Sequence, residues 1–200
     1  MRTYEAIHFQ GTPDWSCVPV AQIDNYLWSD VRSIVPTAQL AWSEDGLYVR
    51  MEAVEADILC RFDGALDPVC QDSCLEFFFC PESEGDRYFN FEANPNASFY
   101  VGYGRTAPAR CRLYRIDWKQ VLDAKPFRTE KGWGITYRIP VDVIRWFVPD
   151  FQLKAGMTIR GNFFKCGDDT VQEHYMSWNR VDVPKPNFHL PEFFGNIILK

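Results

Sequence analysis

The residues best able to do chemistry stand in two neighbouring stretches, DSCLEFFFCP (72–81) and RYFNFEAN (87–94). Glu76 interrupts a phenylalanine-rich run, and Glu92 lies in the next one. Two carboxylates projecting from one sheet face can act as the acid and base of a glycosidase. The same pair can instead accept hydrogen bonds from vicinal sugar hydroxyls, with Asn90 and Asn94 able both to donate and to accept beside them. A third use is structural, with Glu76 paired to Arg87, Arg105 or another cation, because a carboxylate buried without a partner is costly. Arg105 is also the candidate cation for a ligand. Tyr175 and Trp178, in the polar stretch DDTVQEHYMSWNR, offer rings on which the C–H face of a pyranose can pack.

Other chemistries find less support. Of the seven cysteines, Cys70, Cys74 and Cys80 share one strand parity, with His174 and His189 elsewhere. Zinc prefers a tight cysteine pair on a turn, and spacings of four and six along one strand spread the thiols apart. They read as small buried hydrophobes. No G-x-S-x-G or H-E-x-x-H occurs, and Gly102 and Gly104 form GYG rather than a phosphate loop.

These side chains need strands to position them. Pro and Gly punctuate the chain at short intervals. AQLAW and LYVRMEAVE read as a hairpin of strands 38–42 and 47–55, turning at Asp45-Gly46, with Leu47, Val49, Met51 and Ala53 on one face. Strand 74–80 places Leu75, Phe77 and Phe79 on the core side. Its other face carries Cys74, Glu76, Phe78 and Cys80. The partner strand sends Phe89 and Phe91 to the core and Tyr88, Asn90, Glu92 and Asn94 the other way. Parity thus takes Glu76 out of the core and sets it beside Asn90, Glu92 and Asn94. Residues 98–104 and 157–167 read as further strands, 127–140 as a hairpin turning at Lys131-Gly132, HYMSW as a brief strand and EFFGNIILK as the last one. VDVIRWF reads as a short helix with Asp142 in its first turn. The expected fold is all-β: an antiparallel two-sheet sandwich of jelly-roll type, near ten strands with one short helix, as one domain over residues 1–200.

Composition narrows the partners. A net charge of −6 with no basic stripe argues against nucleic acid and anionic membrane surfaces. No run of 18 apolar residues suggests a membrane span. The first residues, MRTYEAIHFQGTPDW, hold no apolar signal core, and an odd count of cysteines fits reduced thiols. The expectation is a cytoplasmic protein, or an extracellular one if a leader has been removed. Aromatic content is 16%. Trp15, Trp28, Trp42, Trp133 and Trp146 lie within or beside apolar runs and read as core.

Several segments together resemble a known family. They are LAWSEDGLYVRMEA, QDSCLEFFF (71–79), YFNFEANPNASFY (88–100), GNFFKCGDD (161–169), HYMSWNRV (174–181) and FHLPEFFGNIILK (188–200). The combination, spanning almost the whole chain, is similar to the family 9 carbohydrate-binding modules and more closely to their family 9-like branch of stand-alone bacterial proteins. The resemblance implies an antiparallel β-sandwich and non-catalytic carbohydrate binding linked to xylan-type polysaccharide catabolism. It implies a carboxylate at Glu76 that takes sugar hydroxyls, and an arginine at a place that falls near Asn90. Its two clamping tryptophans correspond to Val69 and Cys70 on one side and to the loop GDDTVQEHY on the other, and neither place holds a Trp here. No cofactor is expected beyond structural calcium, which some members bind and whose ligands do not map onto this chain. Related sandwiches bind haem as well as sugars, and an axial ligand here would be His174 or Met176. The ligand-binding set expected is Glu76, Asn90, Glu92, Asn94, Arg105, Tyr175 and Trp178.

Overall fold

The alternating apolar runs form fourteen strands among the residues described in the computed structural model, which are 1–64, 67–106, 108–114 and 116–200. They are β1 (Thr3–His8), β2 (Ala21–Gln22), β3 (Asn25–Leu27), β4 (Val35–Ser43), β5 (Gly46–Val54), β6 (Cys74–Cys80) and β7 (Tyr88–Ala93). Then follow β8 (Phe99–Gly104), β9 (Arg110–Arg112), β10 (Lys125–Thr129), β11 (Gly132–Pro140), β12 (Thr158–Gly167), β13 (His174–Ser177) and β14 (Gly195–Leu199). Two short helices join them, α1 (Trp118–Val121) and α2 (Val141–Arg145). The one helix expected is α2. The unexpected one, α1, starts where the Asp117 side chain accepts from the Gln120 amide.

Hydrogen bonding runs in the order β10-β11-β5-β4-β1-β14-β12-β6-β7-β8-β9, with β2 beside β4 and with β13, then β3, beside β12. This sheet curls over so that its two halves face each other as a sandwich. Leu47, Val49 and Met51 of β5 meet the rings of Phe77, Phe79, Phe89, Phe91 and Phe163 in one core. Tyr137 of β11 lies 6.5 Å from Phe91 of β7, ring centre to ring centre. Each fully buried ring contributes about 1.5–3 kcal/mol. Trp42 and Trp133 join this core, whereas Trp146 is exposed.

Strictly antiparallel pairing fails at β1. Its first half, Thr3–Ala6, runs parallel to β14, and Ile7–His8 run parallel to β4. One strand thereby belongs to both halves and makes the corner between them. The hairpin turns also fall one residue earlier than expected. Ser43 pairs with Gly46 and Thr129 with Gly132, so Glu44-Asp45 and Glu130-Lys131 are the turn residues. The glycines serve close approach instead: a Cβ on Gly46 would sit 2.6 Å from the Ile139 carbonyl oxygen, and one on Gly132 would meet that of Ala53.

A buried polar knot ties the two halves together. Glu55, just past β5, accepts from Ser73 Oγ (2.8 Å), Trp133 Nε1 (2.7 Å) and Lys165 Nζ (3.2 Å). Lys165, fully buried on β12, also donates to the Cys166 carbonyl and reaches His174 Nε2 at 2.6 Å. Burial first, then the Lys165 charge, brings the His174 pKa down to about 4, which leaves a neutral ring that can accept from the ammonium. His174 is therefore committed to the knot and Met176 to the main core. Neither is placed to hold a haem iron.

The outer face of β6, β7 and β12 is not open. A second apolar layer of Leu27, Val69, Phe78, Tyr88, Phe164, Phe188 and Phe194 covers it, much of it supplied by the irregular segment 181–194. Glu76 and Glu92 lie between sheet and cover. Among the described residues no helix is long and apolar enough to cross a membrane.

Candidate functional site

Between that cover and the sheet lies a pocket of about 370 Å³, lined by Cys70, Glu76, Glu92, Cys166, Asp168 and Tyr175 below and by residues 186–189 above. Strand register builds its floor. Glu76 stands directly opposite Glu92, and Phe78 opposite Asn90. Side chains so paired have Cβ atoms about 4.5–5.5 Å apart. Glu76 is 2% exposed and Glu92 6%. The expectation that parity frees Glu76 from burial is thus corrected: it leaves the main core but enters a covered pocket.

Burial and mutual repulsion dominate the electrostatics. Burial is the largest influence on Glu92, offset in part by the Arg110 charge and by a hydrogen bond from Asn90 Nδ2 (2.8 Å), and the pKa stands at about 7. Glu76 is raised well above the usual carboxylate range, by burial first and by Glu92 second. Its nearest donor is the thiol of Cys166, 3.0 Å from Oε1. Among the described residues, no Lys or Arg forms an ion pair with Glu76, Glu92 or Asp168, so the structural pairing with Arg87 or Arg105 does not occur. Asp168, on the pocket wall, is also raised by burial.

The nearest cation is one that strand patterns did not single out. Arg110 of β9 donates from Nη1 to Asn90 Oδ1 (3.1 Å). Its Nη1 and Nη2 lie 2.7 and 3.0 Å from the two ring nitrogens of His189. Tyr88 Oη is 2.9 Å from the same His189 Nδ1. Burial, then the Arg110 charge, holds His189 down at about 3, so the ring is neutral. The guanidinium lies 5.7 Å from the ring centre of Tyr100, and among the described residues its buried Nε has no hydrogen-bond partner. On the opposite wall Phe188 stacks on Phe164 at 4.2 Å, with Tyr175 edge-on to it at 6.1 Å.

Of the expected residues, the structure brings together Glu76, Glu92 and Tyr175 on the pocket wall, with Asn90 hydrogen-bonded to Glu92 behind them. Three others stand elsewhere. Asn94 has its donors on the Phe62 carbonyl and Asp72, and its Oδ1 accepts from the amides of Asn96 and Ser98, so it holds a turn. Arg105 is exposed and pairs with Asp86 at 3.0 Å. Trp178 is 4% exposed, with its ring edge-on to Tyr4 and Phe163 and against Gly195 in the main core. Residues missed by pattern are Arg110, His189, Phe188, Cys166 and Asp168. All but Arg110 lie inside motifs already singled out, GNFFKCGDD and FHLPEFFG.

Calcium needs six to eight oxygen ligands. Asp72 has the most buried carboxylate outside the pocket and the Glu55 knot, and it is already engaged by the amides of Arg61 and Phe62, by Arg61 Nε and by Asn94. Among the described residues, the one group of three metal-ligating side chains is Cys74, Glu76 and Cys166. Two thiols do not suit calcium. A larger groove of about 660 Å³ lies near Glu55, but Glu55 is spent on Ser73, Trp133 and Lys165.

Residues 13–199 match the model of a family described as carbohydrate-binding family 9. No curated protein matches the chain. Among solved structures, a protein from Bacteroides uniformis ATCC 8492, named as a candidate carbohydrate-binding protein, superposes with a TM-score of 0.88 at 23% identity, covering 100% of this chain and 99% of its own. A family 9 module from Caldicellulosiruptor kristjanssonii in complex with cellotriose superposes with a TM-score of 0.69 at 15% identity, covering 100% and 94%. The same kind of module from that organism, in complex with glucose, gives 0.69 at 14% identity, covering 100% and 96%. These likenesses show a shared fold.

Proposed function

The chain belongs to carbohydrate-binding family 9, and from that premise we propose that the pocket over Glu76 and Glu92 holds one sugar unit without cleaving it. The observation that carries this reading is the register pair Glu76–Glu92 on the floor of a pocket of about 370 Å³, with a polar and an aromatic wall. That volume is at the small end for ligand pockets, which suits a monosaccharide or the end unit of a longer chain. In this reading the carboxyl groups of Glu76 and Glu92 take ring hydroxyls, as acceptors when ionised and as donors when protonated. Arg110 stands behind the pocket, holding Asn90 and His189 and lowering the Glu92 pKa by its charge, near the place where the resemblance puts an arginine. Phe188 and Tyr175 stand where a sugar's C–H face can pack, in place of the absent tryptophans. Arg105 and Trp178 have no part in it.

Hydrolysis is the weaker reading. Acid–base pairs work when their surroundings push the two pKa values apart. Here burial moves both carboxyls the same way, upward. The finer setting proposed is xylan-type polysaccharide catabolism, and the glucose and cellotriose complexes of the family 9 modules widen the panel to glucans. The test is isothermal titration with glucose, cellobiose, cellotriose, xylose and xylo-oligosaccharides. At least one should bind, and Glu76→Gln and Arg110→Ala should each weaken that binding at least tenfold. Silence across the whole panel at millimolar sugar sinks the proposal, as does unchanged affinity in both variants.

A further inference from the structure

Three side chains meet at the floor of the pocket from distant parts of the sequence. Cys74 and Glu76 share one face of β6, two residues apart, and Cys166 stands opposite Cys74 in register on β12. Their sulfur and oxygen atoms lie within 4.8 Å of one another, and all three residues are buried. Spacing along β6 alone predicts no thiol pair; the second sulfur arrives from the neighbouring strand. We propose that Cys74, Glu76 and Cys166 bind a thiophilic divalent cation of the zinc class, with its fourth coordination position open to the pocket.

Donor chemistry supports this assignment. Thiolate and carboxylate ligands are those of tetrahedral zinc, with bonds of about 2.3 Å to sulfur and about 2.0–2.2 Å to oxygen. Those lengths set ligand-to-ligand edges of roughly 3.4–3.8 Å, which the present spacing reaches by rotation about side-chain bonds. Sulfur also discriminates against calcium and magnesium. Charge points the same way: Glu92 and Asp168 line the same pocket, and among the described residues neither they nor Glu76 form an ion pair with Lys or Arg. A cation on the floor would supply that missing countercharge. The donors sit on two adjacent strands whose pairing extends from Arg160↔Cys80 to Cys166↔Cys74, so their spacing is held by backbone. Glu76 and Cys166 line the pocket while Cys74 lies behind them, which leaves the open side toward a ligand. Three protein donors and one open position is the arrangement of a metal that also meets a small molecule. On binding, Cys74 and Cys166 each give up an S–H proton to the buffer, as does Glu76 when it carries one.

The proposal goes beyond sugar binding and is tested without sugar. Reduced, metal-free protein is titrated with Co²⁺ under argon. One equivalent should saturate thiolate-to-cobalt charge-transfer absorbance in the near ultraviolet together with the intense visible bands of four-coordinate cobalt, and Zn²⁺ should displace it. Cys74→Ala and Cys166→Ala should each lose more affinity than the roughly 10–100-fold that outer-shell changes cause. Cys80→Ala, buried on the same strand but outside the trio, should bind as the parent does. Should the alanine variants unfold, zinc-edge absorption on the unaltered protein decides: two sulfurs at about 2.3 Å are expected. A shell of oxygen and nitrogen alone overturns the assignment, as do absent saturation and charge-transfer bands that survive both alanine substitutions.

Discussion

Replacing Glu92 by Gln should stabilise the protein at pH 8 and do nothing at pH 4.5. The carboxyl titrates near 4.5 in an unfolded chain and at about 7 in the fold. The native state therefore binds this proton more tightly than the unfolded state does. Stability from this source is complete below about pH 4.5, falls as pH rises, and is gone above about pH 7. At 1.36 kcal/mol per pH unit the interval amounts to about 3 kcal/mol. Gln mimics the protonated carboxyl, and its amide oxygen can still accept from Asn90 Nδ2. Comparison with the parent is essential, because His174 and His189 move the opposite way. Their pKa values fall to about 4 and about 3, so their contribution grows as pH rises toward 6.5. These terms cancel in the difference between variant and parent. The assay is urea unfolding by fluorescence and far-ultraviolet circular dichroism from pH 4.5 to 8, with reductant and chelator present. The variant-minus-parent difference should climb from near zero to about 3 kcal/mol. A flat difference, or a variant less stable than the parent at pH 8, would refute the claim that Glu92 is held in a desolvated site beside a second acid.

Arg110→Ala should let the His189 ring titrate well above its present value of about 3, followed by imidazole proton resonances, because the guanidinium is one of two causes of the low pKa. Lys165→Met should cost about 3–5 kcal/mol in urea unfolding by leaving the Glu55 carboxylate buried without its cation. Adding Glu55→Gln should restore a large part of that loss. Trp178→Ala should cost about 3–5 kcal/mol through loss of core packing, while a folded Trp178→Phe protein binds sugar as the parent does. Arg105→Ala, at an exposed ion pair, should change neither stability nor binding.

Strand parity carried the sequence reading far. A period of two puts Glu76 with Asn90 and Glu92 wherever β6 and β7 pair, and the phenylalanines on the opposite face make that pairing the stable one. Parity also separates two aromatic residues at and just past β13. Tyr175 and Trp178 are three residues apart around β13, so an extended chain sends them to opposite sides; Tyr175 reaches the pocket and Trp178 the core. Other features were out of reach. The cover over Glu76 comes from 181–194, which has no periodicity and lies about a hundred residues along the chain. Arg110 sits in a three-residue strand too short to show alternation. The meeting of Cys74 with Cys166 depends on the register between two distant strands, and no spacing within either strand encodes it.

The corner strand β1 has a consequence for the order of assembly. Thr3 faces Asn196 and Ala6 faces Leu199, while Ile7 and His8 lie along β4. The middle of the sheet is thus made from the two ends of the sequence. A chain emerging from the ribosome can close β4 on β5 and β6 on β7 early, as local hairpins. β1 keeps one edge bare beside β4 until β14 pairs with it. Closing contacts between such distant segments slows folding and prolongs exposure of an unpaired edge. The β1–β14 seam thus joins the half that carries Glu55 to the half that carries the pocket through the pairing of strands far apart in the sequence.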